Sequence, residues 1–185
     1  TKTVAFVEES LLPAVRIDVT VGLMHASHDI RTRSVDFDGD GKLDIINFSF
    51  KWNTGSEDQY RSEIQFLRNT GGGHFVDVTD SVRVGYDTHG YVGYYPQIRD
   101  FDGDGKVDVF VSQPDWLPSG YHSTTLLMQS ASGKFVDTAK SDFNRLIESG
   151  GGQAAIAKGP NSTFYLVRES AWKRDGYTHV SIQPI

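Results

Sequence analysis

The sequence predicts an all-β fold made of repeated strand units, and three observations carry that prediction. An acidic nonapeptide, Asp36-Phe37-Asp38-Gly39-Asp40-Gly41-Lys42-Leu43-Asp44, returns 64 residues later as Asp100-Phe101-Asp102-Gly103-Asp104-Gly105-Lys106-Val107-Asp108, with only Leu43 replaced by Val107. Each copy leads into a β-branched and aromatic run, residues 43–48 and 107–111, of the kind that forms buried strands. A glycine-containing turn then precedes Phe75-Val76-Asp77-Val78-Thr79 in one copy and Phe135-Val136-Asp137-Thr138 in the next. The acidic loops therefore join strand to strand.

Each nonapeptide places carboxylates at positions 1, 3, 5 and 9, namely Asp36, Asp38, Asp40 and Asp44, then Asp100, Asp102, Asp104 and Asp108. Alternate side chains of a curling loop point inward, and glycine at position 6 permits the sharp turn at positive φ. The backbone carbonyl of position 7, from Lys42 or Lys106, is expected as a further ligand. An all-oxygen set without His or Cys favours Ca²⁺ over zinc or copper. Charge agrees. Four Asp and one Lys give each loop −3, so the pair accounts for the formal net charge of −6 carried by the whole chain. Four carboxylates crowded together repel one another, and a divalent cation relieves that repulsion. Position 12 is Asn47 or Val111, not the bidentate Glu of an EF-hand.

The pattern Asp-x-Asp-Gly-Asp-Gly-x-x-Asp followed by a hydrophobic strand resembles the FG-GAP/VCBS repeat, the blade unit of integrin-α-type β-propellers. Residues 67–79, Leu-Arg-Asn-Thr-Gly-Gly-Gly-His-Phe-Val-Asp-Val-Thr, are similar to that family's outer hairpin, and residues 127–138 form a second copy. The resemblance implies propeller blades of four antiparallel strands and covers about residues 29–140.

Taken in order, residues 1–28 are expected to supply the outer strands of an incomplete blade, at 4–7 and 15–21, because Ile17-Asp18-Val19-Thr20 repeats the later Val-Asp-Val-Thr pattern. A full blade follows over 29–96, with strands at 30–35, 45–50, 63–68 and 75–79 and its end near Val84. The next covers 97–149, with strands from Gln97 and at 107–112, 124–129 and 134–138. A degenerate unit occupies 150–185, with strands at 153–158, 163–167 and 178–183. There Gly159-Pro160-Asn161-Ser162 replaces the acidic loop, so no ion is expected. Residues 142–148 have the pattern of one short helical turn. About three blades cannot close a ring that typically needs four to eight. The expectation is either a part of a longer parent chain or a homo-oligomer that completes the ring.

The three tryptophans recur at one place in the repeat. Trp52, Trp116 and Trp172 each follow the second strand of their unit, and each is followed by a tyrosine: Tyr60, Tyr121 and Tyr177. The propeller resemblance puts these loops on the face opposite the acidic ones, with His89 and its neighbours contributed by the blade-to-blade connections. Aromatic rings beside polar groups suit a carbohydrate. They suit a protein partner equally well, and wedging between blades as core is the structural alternative.

Composition bounds the rest. With 185 residues, 38% of them hydrophobic, the chain is long enough to bury about 70% of its unfolded surface. No apolar run approaches the ~18 residues of a membrane span. An acidic sequence, pI ≈ 5.4, without a basic cluster is not expected to bind nucleic acid. The chain contains no cysteine, which leaves the redox compartment open. Calcium sites of modest affinity fill outside the cytosol, so a secreted or cell-surface location is expected. No Gly-x-Ser-x-Gly elbow, His-Glu-x-x-His or phosphate loop is present, and the chain is not expected to be an enzyme. A non-catalytic propeller of a polysaccharide-degrading enzyme fits the same sequence.

Overall fold

A computed structural model describes residues 12–13, 27–52, 60–85, 96–112, 124–138, 154–160, 164–170 and 179–184. Apart from one short helix these residues are all-β, and among them there are three sheets, none of them closed. The first is a four-stranded antiparallel meander of β1 (Ser27–Val35), β2 (Asp44–Trp52), β3 (Tyr60–Gly71) and β4 (His74–Asp77). The second holds β6 (Gln97–Arg99), β7 (Asp108–Ser112), β8 (Thr124–Gln129) and β9 (Phe135–Asp137) in the same antiparallel order. The third pairs β10 (Ala154–Lys158), β11 (Phe164–Ser170) and β12 (His179–Pro184). These are the strands expected from the repeat. The strands expected at 4–7 and 15–21, and the helical turn at 142–148, lie outside the described residues.

Two features depart from the pattern. The fourth strand of the first blade stops at Asp77, not at Thr79, and the chain turns into a short helix, α1 (Thr79–Val82). Side chains redirect it there: Asp77 Oδ1 accepts the Thr79 N–H at 3.0 Å, and Thr79 Oγ1 accepts the Phe66 N–H at 2.9 Å. The Thr79 hydroxyl therefore takes up an N–H on β3. Next, Arg83 and Val84, which the pattern assigns to the first blade, form β5 (Arg83–Val84). This strand pairs in parallel with Phe135 and Val136 of β9 and becomes the fifth, outermost strand of the second sheet. Arg83 also reaches back to Glu63 and to the carbonyl of Ile64 in β3, so this short segment ties the two sheets together.

The core lies between sheets. Ile46, Phe48, Ile64 and Phe66 of the first sheet pack against Val109, Val111, Leu127 and Phe135 of the second. Both faces of the second sheet are used: Phe110 and Leu126 point the other way, where they meet Ile156 and Phe164 of the third. Alternate residues of β7 thus serve two different interfaces, which is why its central Val109-Phe110-Val111 run is apolar throughout. On the other face of the first sheet, one residue from each strand forms a polar chain. Thr32 donates to Asn47 at 2.8 Å, Asn47 to Gln65 at 3.5 Å, and Gln65 to Asp77 at 2.9 Å. Asn47 and Gln65 are buried, and this pairing makes their burial tolerable.

Candidate metal centre

Both acidic loops are hairpin tips. The first spans the gap between β1 and β2, closed by the Val35–Asp44 pair, and the second spans that between β6 and β7, closed by Arg99–Asp108. Strands flank them, as expected. The local fold follows from aspartates placed next to glycines. Asp36 accepts the N–H groups of Gly39 (2.8 Å), Asp40 (3.1 Å) and Gly41 (2.9 Å), and Asp100 accepts those of Gly103 (2.5 Å) and Gly105 (2.9 Å). The curl requires positive φ at Gly41 (85°) and Gly105 (86°), which a residue with a Cβ adopts only under strain.

The curl brings carboxylates together. In the first loop, oxygens of Asp36, Asp38 and Asp40 lie within 4.8 Å of one another; in the second, those of Asp100, Asp102 and Asp108 do. Between them the two triads use all four expected positions, 1, 3, 5 and 9. The remaining acid differs. Asp104 is held by Lys106, and Asp44 lies beneath the loop with its carboxylate bonded to backbone. Asp44 and Asp108 are fully buried and play the same second role. Their two oxygens accept one N–H from the loop, Phe37 or Phe101, and one from the outer strands, Asn69 or Gln129, at 2.8–3.1 Å. Burial pushes both carboxyls up from the usual range, although these N–H bonds pull the other way. Asp40 is held below that range, chiefly by its hydrogen bond from Lys42, and Asp104 likewise by Lys106.

The donors are hard oxygens, clustered and under-neutralised, and they fit a calcium ion better than any softer metal. Asp36, Asp38 and Asp40, with Asp44 below them, would hold it in one loop; Asp100, Asp102, Asp104 and Asp108 would hold it in the other. Such an ion supplies charge neutralisation and cross-linking of the loop.

From the first aspartate of one loop through the strand after the other, residues 36–111 match the FG-GAP-like repeat family. No curated protein and no solved structure matches the chain. The FG-GAP-like repeat is a propeller-type module, generally non-catalytic, and among the described residues no helix is long and apolar enough to cross a membrane.

The structure adds residues of the repeat that motif reading passed over. Phe37 and Phe101, at loop position 2, are buried. The Phe37 ring meets Phe66 and Phe135 edge-on at centroid distances of 5.6 and 6.1 Å, and Phe101 meets Phe110 and Phe164 at 6.4 Å. Gln129 of the second blade donates to the Phe37 carbonyl at 2.7 Å. A phenylalanine kept between aspartates in both copies was the available signal. The two loops also share a cleft of about 520 Å³, lined by Asp36, Asp38, Arg68, Lys106, Gln129 and Ser132 among others.

Of the aromatic set, Trp52 ends β2 and Tyr60 opens β3, where they are register partners. β2 runs nine residues from Asp44 to Trp52, so this pair sits at the end of the sheet away from the acidic loop, about 27 Å along the strand. Trp116, Trp172, Tyr121, Tyr177 and His89 lie outside the described residues.

Proposed function

We propose that this chain is a calcium-stabilised, non-catalytic recognition module of an extracellular protein, and that it binds carbohydrate through the aromatic ends of its blades. The observation that carries the calcium reading is the twin set of converging carboxylates at equivalent hairpin tips. Around them the loop backbone is already closed by aspartate side chains. Bound ions would be structural, fixing the tips whose phenylalanines reach into the interfaces between sheets. The extracellular placement follows from the repeat, typical of extracellular proteins, and from the free calcium that such sites require.

Support for a sugar ligand comes from the recurrence of Trp52, Trp116 and Trp172, with Tyr60, Tyr121 and Tyr177, at one repeat position. Trp and Tyr offer flat apolar faces for sugar C–H groups, and His89 adds a polar partner. The test is a glycan array probed with the chain in calcium, beside Trp116→Ala. A sugar signal that the substitution abolishes supports the reading, and silence from the folded, calcium-loaded protein overturns the carbohydrate part. Protein adhesion is the second reading, favoured by the propeller-type repeat of integrin-like kind. The same aromatic groups would then anchor a protein interface.

A further inference from the structure

We propose that Lys42 and Lys106 serve as built-in counter-cations of the acidic loops, holding each loop folded without metal and lowering its affinity for calcium. The inference rests on the calcium reading and gives position 7 a second role: the carbonyl was expected to bind metal, whereas here the side chain opposes it.

Three observations support the assignment. The contact recurs, with Lys42 Nζ 2.5 Å from Asp40 Oδ2 and Lys106 Nζ 2.6 Å from Asp104 Oδ2. In each loop the same aspartate accepts the lysine's own backbone N–H on its other oxygen, at 2.9 and 2.8 Å, so the pair closes on itself across two residues. The aspartate chosen is position 5, which in the first loop is also one of the three converging acids. In the first loop, ammonium and metal therefore draw on the same carboxylate; in the second, Lys106 holds Asp104 beside the converging Asp100, Asp102 and Asp108.

The physical consequence has two opposite signs. Without metal, the ammonium reduces the charge of four crowded carboxylates from −4 to −3 and weakens their repulsion. With metal, a divalent ion must displace that ammonium or sit beside it, and either raises the free energy of the bound state. Because both pairs are solvent-exposed and screened, the expected effect on affinity is modest, about two- to five-fold per loop. Arg68 provides the contrast. It acts on Asp40 through space but makes no ion pair with it among the described residues.

The experiment is a calorimetric titration of calcium into the chelator-stripped chain, with a melting curve of each protein before calcium is added. Lys42→Met with Lys106→Met should tighten calcium binding about two- to five-fold per site while lowering the melting temperature of the metal-free protein. Lys→Arg at both positions should restore wild-type behaviour in both measurements. Unchanged or weaker binding by the Met variant overturns the proposal, as does equal tightening by Arg68→Gln, which would reduce the effect to net charge. No calcium uptake by the unsubstituted chain would instead overturn the calcium reading itself.

Discussion

Asp108 and Asp104 stand four residues apart in one loop and should respond differently to substitution. Asp108 is buried, and each of its oxygens accepts a backbone N–H. Asp108→Asn would turn an amide NH₂ toward one of those donors, leaving both buried and unpaired. A loss of about 1–3 kcal/mol is expected, and it should appear in chelator as well as in calcium when measured by urea denaturation. Asp104 is a partly exposed group whose side chain meets Lys106. Asp104→Ala should change the chelator curve little and remove much of the stabilisation by calcium. If both substitutions acted only in calcium, the buried aspartate would be a metal ligand and nothing more. Phe37 is the third informative residue, because its N–H, carbonyl and ring serve the loop, the next sheet and the core respectively. Phe37→Ala should destabilise by about 3–5 kcal/mol, read from the same denaturation curves.

The acidic hairpins were legible as elements because everything that shapes them is local. Aspartates reach N–H groups two to five residues away, and glycines supply the turn. The strands beside them were legible from their apolar runs. Gly41→Ala and Gly105→Ala test that local logic: no atom lies within 4 Å of the added methyl, so strain at positive φ is the whole effect. A cost of about 1–2 kcal/mol per site is expected, seen as a lower melting temperature. What could not be read was non-local. Asn47 and Gln65 look like surface residues in their strands, yet both are buried, because partners 15, 18 and 12 residues away complete a hydrogen-bonded chain. β5 was hidden for the same reason. Two residues carry no periodicity, and their pairing with β9 is set by a segment some fifty residues downstream. Phe37 and Phe101 fell between: their repetition was visible, but their destination depends on how neighbouring sheets pack.

On the scale of the whole molecule, the three sheets are held by apolar interfaces and by a few side chains that cross between them. Gln97 accepts the Ile156 N–H at 3.3 Å, while Arg99 donates to its carbonyl. If the loops take up calcium, stability becomes linked to the ion. At ~2 mM calcium and a dissociation constant near ~0.1 mM, each site adds roughly 2 kcal/mol. Chelation should therefore lower the melting temperature markedly, against a typical total of about 5–15 kcal/mol. A melt indifferent to excess chelator would contradict structural calcium. The parallel strand β5 has a bearing on how such a chain can be cut or copied. The unit that recurs in sequence, from one nonapeptide to the next, is out of phase with the sheet it builds, because the segment ending one copy finishes the rim of the following one. Excised at the repeat boundary, the second copy would lose that rim and present a bare strand to its neighbours in solution. Tandem duplication, by contrast, hands every new copy its missing margin from the copy before it, and leaves only the first copy to find one elsewhere.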